Sequence, residues 1–327
     1  MLTIFRRSAT TGVVTGPYPE KPDPMPAGAR GTPELIADRC RGHAACEAVC
    51  PSHAITLTPS PPRPPDHYPQ TGDPANRLPD SALDVPRVWQ IDYGRCVFCG
   101  LCAEVCPEDA IAITGRYELA ARRREDLVVR VPLRGARAPT PSAVPAQMTD
   151  IALAARLRRT IQSAFRRSLH IRHLDAGSDN AADWELTTLL GPIYDVQRLG
   201  IDFVASPRHA DLLAVTGPVT HGLERAVRET YAATPSPKLV VAVGTAACGG
   251  DVIEGSYAVA PGSTNSHGGV DRIIPVDVYI PGDPPRPQAI IYGLLLALGR
   301  ASPRTTLLST PAAAKDSPSA GSPATAR

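Results

Sequence analysis

The sequence predicts an α/β protein in two parts: a small N-terminal module organised by cysteines and a C-terminal domain built on a parallel sheet. Three observations predict it. Seven of the eight cysteines fall between Cys40 and Cys106. From residue 149 to 300, near-continuous apolar runs such as Leu239–Val243 alternate with helical periodicities, the pattern of strands covered on both faces. Proline, 36 of 327 residues, runs at about twice the usual share of roughly 5%, and its dense stretches separate these regions.

Taken in chain order, a short amphipathic N-terminus leads into residues 17–33, whose six prolines read as an extended, docked or loose arm. Together with the cysteine loops the arm makes a first domain over 1–131, interrupted by a proline-dense insertion at 59–86. Residues 132–148 carry no apolar period and read as a linker. The second domain, 149–300, opens with a helical pattern over 150–168, where Ile151, Ala154, Leu157, Ile161, Ala164, Phe165 and Ser168 recur at steps of three and four. Strands are expected at Leu169–Leu174, Ile201–Ala205, Asp211–Thr216, Leu239–Val243 and Ile273–Ile280, and helices near 181–190, 219–232 and 285–299. Asp283, ahead of Pro284 and Pro285, is the expected N-cap of the last helix. Residues 301–327, rich in Ser, Pro and Ala, read as a disordered tail.

Composition excludes several classes. Net charge is +2, which gives no global pull toward nucleic acid, so no nucleic-acid partner is expected. No apolar stretch reaches the ~18–20 residues of a membrane-spanning helix, and Arg6-Arg7 is followed by no apolar region of a secretory signal. A soluble, intracellular protein is expected. Charge is nevertheless uneven: residues 116–172 hold 13 arginines against four acidic residues, so that window is +9 and the remainder −7. This segment reads either as a solvated helix face or as a contact for an acidic partner or anionic lipid headgroups.

Cys96, Cys99, Cys102 and Cys106-Pro107 have the spacing C-x2-C-x2-C-x3-C-P, in which a tight loop converges three thiolates on one iron–sulfur cube and sends the fourth to a second cube. Zinc would call for two CxxC knuckles, and a disulfide framework does not suit an intracellular chain. Counting back from Cys50-Pro51, Cys46 and Cys40 fall in register, but the second ligand position holds His43. Crossed ligation therefore predicts a first 4Fe-4S cluster on Cys40, His43, Cys46 and Cys106, and a second on Cys96, Cys99, Cys102 and Cys50. A neutral imidazole in place of a thiolate raises a cluster's potential. The other readings of the first loop are a 3Fe-4S site on three cysteines, or no cluster. His53 reads as a loop residue.

Three segments, the RG-x-P ahead of the first loop, IDYGRCVFCGLCAEVCPEDAI (91–111) and YELAARRREDLV (117–128), resemble the two-cluster ferredoxin subunit of formate hydrogenlyase-type group 4 NiFe hydrogenases, and more distantly a subunit of respiratory complex I. SLHIRHLDAGS, YDVQRLGIDFVASPRHADLLAVTGPVT, KLVVAVG and IPVDVYIPG-x-PPRP, within 168–299, resemble the small subunit of the same hydrogenases. The resemblance implies a bacterial ferredoxin-like module followed by a flavodoxin-like parallel-sheet domain. In that family the second domain holds one more 4Fe-4S cluster on four cysteines, in G-S-C-x-x-C, G-x-C and P-G-C-P-P loops.

At the matching positions this chain carries Asp179, Ala182, Ala246 and Asp283. Two alanines cannot ligate iron, so the resemblance implies that this cluster is absent. Asp179 and Asp283 read as helix caps or, alternatively, as ligands of a hard cation. Cys248, two residues past the lost position, reads as a small buried residue. The family resemblance further implies a fused, non-catalytic electron-transfer and scaffold subunit on the cytoplasmic face of the cell membrane. Its implied partners are a hydrogenase-like large subunit, membrane subunits and an electron carrier such as a ferredoxin. The alternatives are a structural or regulatory subunit with partial or no clusters, and a free-standing ferredoxin-type carrier.

Overall fold

The computed structural model describes residues 2–21, 23–26, 28–58, 87–133, 168–260 and 268–302. The insertion 59–86, residues 134–148 of the linker, all but the last residue of the helix expected over 150–168, and the tail from 303 lie outside the described residues.

The N-terminal part begins with helix α1 (Leu2–Thr11) and is otherwise built of short strands: β1 (Thr32–Leu35), β2 (Ile55–Thr58), β3 (Arg87–Asp92), β4 (Ile111–Thr114) and β5 (Val128–Leu133). β1 pairs antiparallel with β4, and β2, β3 and β5 form an antiparallel sheet in that order. Along β3 the side chains of Arg87, Trp89 and Ile91 are buried while those between them are half-buried, as the two-residue period of a strand requires. Two one-turn helices, α2 (Ala45–Val49) and α3 (Leu101–Glu104), lie within the two cysteine loops and carry Cys46 and Cys102.

The C-terminal part has strands β6 (Leu169–Asp175), β7 (Ile201–Phe203), β8 (Leu212–Thr216), β9 (Leu239–Val243) and β10 (Val278–Ile280). They form one parallel sheet in the order β10-β9-β8-β6-β7, with Ile171 opposite Leu212 and Leu212 opposite Leu239. That is the flavodoxin-type order, whose switch point lies between β6 and β8. Every residue of β8 and β9 is buried, which explains their unbroken apolar runs. Helices α4 (Ala181–Thr188), α5 (His221–Ala233), α6 (Thr245–Gly249) and α7 (Pro287–Ala297) complete the domain. All of α7 is buried, in keeping with a sequence that is apolar around its whole circumference.

Three expectations need correction. The N-cap of the last helix is Arg286, not Asp283. Arg286 precedes Pro287, which holds it in an extended conformation (φ −59°, ψ 152°), so the helix can begin only at Pro287. The strand expected over 273–280 is confined to Val278–Ile280, because Ile273 and Ile274 close a turn on the Val270 carbonyl and Pro275 has no N–H to offer a ladder. The strand expected over 201–205 ends at Phe203.

The two parts are not separate beads. Leu57, Trp89, Ile91 and Leu127 of the first share one hydrophobic core with Val240, Ala247, Cys248 and Tyr279 of the second. Ala121 pairs with Tyr279, each N–H donating to the other's carbonyl at 3.0 and 2.8 Å. The arm docks on the second part as well: Tyr18 is buried against its core, and the Gly16 N–H donates to Ile193 O at 2.7 Å.

Candidate metal centres

The two cysteine loops are a structural repeat at a spacing of 56 residues, the difference between Cys40 and Cys96, between Cys46 and Cys102, and between Cys50 and Cys106. Their backbones repeat too. Gly42 and Phe98, Ala44 and Gly100, and His53 and Asp109 all have positive φ, so each loop turns at matching places. The Ala54 N–H donates to the Cys50 sulfur at 3.2 Å and the Ala110 N–H to the Cys106 sulfur at 3.3 Å. In this repeat His43 stands where the second loop has Cys99, and exposed His53 is a turn residue.

The expected first set comes together. Cys40, His43, Cys46 and Cys106 line one cavity, closed by Leu35, Leu57 and Ile111. Burial, followed by the neighbouring Cys40, Cys102 and Cys106, pushes the Cys46 thiol up to about 12. The His43 side chain is only 9% exposed. Its Nδ1 is buried with no hydrogen-bond partner, while its Nε2 lies 3.3 Å from Glu108 Oε1. An unsatisfied buried ring nitrogen costs about 1–3 kcal/mol, so a lone pair facing a cavity of cysteines fits a metal ligand.

The second expected set is also mutually close. Burial raises the Cys96 thiol, and Cys102, Cys50 and Cys99 raise it further. Burial likewise pushes Cys102 up to about 12, with added repulsion from Cys99 and Cys50. In both sets burial costs a thiolate more than its hydrogen-bond donors return, so thiolates there would call for a cation's charge beside them. None of the eight cysteines is in a disulfide. Among the described residues no three His, Cys, Asp or Glu side chains are grouped to hold one metal ion.

Asp179, Ala182, Ala246 and Asp283, the positions that the family resemblance gives for a third cluster, lie beyond the carboxyl ends of β6, β9 and β10, the edge at which open parallel sheets bind their ligands. The loops meet there: the Thr245 N–H donates to Gly282 O at 2.9 Å, and a Cβ built on Gly244 would lie 3.3 Å from the Ala182 Cβ. Ala182 is buried, Ala246 half-buried, and Asp179 and Asp283 are exposed. Asp179 acts partly as expected, its Oδ1 accepting from the Ala181 N–H at 2.9 Å at the start of α4. Although Asp283 is exposed as a residue, its carboxyl is partly desolvated, and with Asp251 and Asp179 nearby this pushes its pKa up to about 6. Cys248 is fully buried, which pushes its thiol up to about 12.

Two groups of residues were not legible in the sequence. Asp183 accepts from Thr216 Oγ1 at 2.8 Å, lies 2.6 Å from His173 Nε2 and is held by Ser178, a polar network at the switch point of the sheet. Thr245 Oγ1 donates to the Cys96 carbonyl at 3.0 Å, joining the second cysteine loop directly to the edge where a third cluster would lie. The contacts of Thr216 and Thr245 span 33 and 149 residues, and no local pattern announces them.

Fold and site together define the class: a dicluster ferredoxin-type module packed on a flavodoxin-like α/β domain. The 4Fe-4S dicluster domain family matches residues 38–110, and the NADH ubiquinone oxidoreductase 20 kDa subunit family matches residues 180–297. The chain is 47% identical over 133 residues to the probable membrane-bound hydrogenase subunit mbhJ of Pyrococcus furiosus, covering 40% of this chain and 75% of that one. It is 36% identical over 156 residues to formate hydrogenlyase subunit 7 of Escherichia coli, covering 48% of this chain and 58% of that one. With an NADH-quinone oxidoreductase subunit of Citrifermentans bemidjiense it shares 46% identity over 102 residues, 31% of this chain and 55% of the relative. It therefore spans a little over half the length of the latter two relatives. The chain belongs to the family of hydrogenase and complex I subunits related to the 20 kDa subunit, with a 4Fe-4S dicluster domain at its N-terminal side.

Proposed function

We propose that this chain is an electron-transfer and scaffold subunit of a membrane-associated, hydrogenase-related complex, with its clusters confined to the N-terminal module. Cys40, His43, Cys46 and Cys106 would hold the first 4Fe-4S cluster, and Cys96, Cys99, Cys102 and Cys50 the second. When bound, such clusters supply one-electron transfer. The protein's own contribution is burial, N–H donors to the Cys50, Cys96 and Cys106 sulfurs, and the Thr245–Cys96 contact that ties the module to the second domain. The reading is carried by one contrast: eight ligand-capable residues at the expected positions of the module, against Asp179, Ala182, Ala246 and Asp283 at the family's third-cluster positions. The C-terminal domain would then dock a large subunit and membrane subunits without relaying electrons through a cluster of its own. The arginine-rich stretch 116–172, apart from Arg124, which pairs with Asp92 inside the fold, would lie near anionic headgroups or an acidic partner at the cytoplasmic face of the membrane. Among the described residues no helix is long and apolar enough to cross a membrane, so attachment would be peripheral. A ferredoxin-type carrier would deliver or accept the electrons.

Iron and acid-labile sulfide analysis of the anaerobically purified full chain tests this. About seven to eight irons per chain are expected. About four would restrict the wiring to one cluster. Fewer than about three would overturn the electron-transfer role, and about twelve would overturn the loss of the third cluster.

A further inference from the structure

Glu108 is the only protein group that engages His43 through a side-chain hydrogen bond among the described contacts, and its position is informative. It follows Cys106-Pro107 directly, so one loop brings both the fourth cysteine of the first set and the carboxylate that meets the imidazole. A carboxylate only accepts, so at 3.3 Å from Glu108 Oε1 the Nε2 of His43 must carry the proton. In a neutral imidazole, the form that can ligate a metal, that leaves Nδ1 as the bare lone pair, and Nδ1 is the buried nitrogen without a partner in a ring that helps line the cavity of Cys40, Cys46 and Cys106. Glu108 is itself steadied by Arg41, whose Nε lies 3.6 Å from Oε2. The repeat has no counterpart for this pair: the residue matching His43 in the other loop is Cys99, which needs no tautomer fixed.

We infer that Glu108 is a positioning residue that selects the His43 tautomer, presents Nδ1 as the ligating atom and thereby helps set the potential of the first cluster. The inference rests on the reading of His43 as a ligand. A carboxylate accepting from the distal N–H makes an imidazole a stronger donor and fixes its plane, the usual outer partner of a ligating histidine. Stronger donation favours the oxidised cluster, so loss of Glu108 raises that cluster's potential.

The test uses the full chain, purified anaerobically with its clusters, in four forms: parent, Glu108→Gln, Glu108→Ala and His43→Cys. Pulsed EPR of the reduced protein labelled with 15N-histidine reads the iron–nitrogen coupling, and a redox titration reads both potentials. The parent is expected to show a directly bound nitrogen. Glu108→Ala is expected to alter that coupling, raise one potential and leave the other unchanged. It should also weaken retention of that iron against a chelator by about 10–100-fold. Glu108→Gln, whose neutral amide oxygen still accepts from Nε2 but more weakly than a carboxylate, is expected to keep the nitrogen coupling and raise the same potential by less than alanine does; if the alanine variant does not fold, an unmoved potential in the glutamine variant overturns the role of Glu108. A bound nitrogen with coupling and potentials unmoved in both Glu108 variants would overturn the role of Glu108 while leaving His43 a ligand. A parent without nitrogen coupling, and a His43→Cys variant with unmoved potentials, would instead overturn His43 ligation itself.

Discussion

At Asp283 a carboxylate replaces what the family resemblance gives as a thiolate ligand, and its chemistry reports on what now fills that edge. Partial burial comes first among the causes that push its pKa up to about 6, followed by Asp251 and Asp179. Asp251 is itself raised, by burial and by Asp179. An acid with a raised folded-state pKa binds its proton more tightly folded than unfolded. Its contribution to stability is therefore greatest below about pH 4 and declines as pH rises through about 6. Asp283→Asn removes that liability. The variant is expected to melt above the parent at pH 7, with the difference closing toward pH 4, as read by thermal denaturation across pH. A lower melting temperature at pH 7 would mean instead that the carboxylate is held by a cation or partner. The sequence motifs flanking Asp283 single out this position. The proximity of Asp251 was not legible, because it lies 32 residues away and is brought near only by the turn after α6.

Elements differ in how far local pattern dictates them. β8 and β9 are buried on both faces, so their apolar runs name them without any knowledge of neighbours. The strands of the N-terminal part are four to six residues long, and β2 pairs with β3 across the insertion 59–86. Such pairs are decided by long-range contacts and leave a weak periodic trace. α6 shows the same dependence on packing. It is a single turn whose Gly249 backs directly onto the first cysteine-bearing part: a Cβ there would lie 2.4 Å from the Gly94 carbonyl and 2.8 Å from Arg124. Neither backbone can yield without separating the two parts. Gly249→Ala is expected to cost about 1–3 kcal/mol in chemical denaturation, the usual effect of overpacking. Gly222→Ala, at the exposed start of α5 where an added Cβ meets nothing within 4 Å, is the control and should be neutral or slightly stabilising. Equal losses at the two positions would show that the contact between α6 and Gly94 carries no special constraint.

For the whole molecule, the physical question is whether a wiring module and a scaffold are joined by a tether or fused into one folding unit. Proline punctuation suggests a tether; the core says otherwise. Arg124, 2% exposed, ties the parts together at their centre. Its guanidinium meets both Asp92 oxygens at 2.6 and 2.9 Å, and its Nε donates to the Cys248 carbonyl at 2.8 Å. Asp92 also accepts from the Gly94 N–H at 2.9 Å, so this carboxylate stands at the entrance to the second cysteine loop. Removing one member of a buried ion pair leaves the other desolvated and unpaired, which costs about 3–5 kcal/mol. Arg124→Ala is expected to lose about that much, and the loss should appear as one transition in which far-UV circular dichroism and the visible absorbance of the clusters fall together. A neutral pair of similar size, Arg124→Met with Asp92→Asn, should recover part of it, because no charge is then stranded. If the absorbance instead fell in a first transition and the parallel sheet melted unmoved in a second, the parts would be independent domains. A shared core has a functional consequence, since with the Thr245 contact it holds the second cysteine loop against the edge of the sheet. An electron carried by the module would then sit at a fixed distance from whatever docks on that edge.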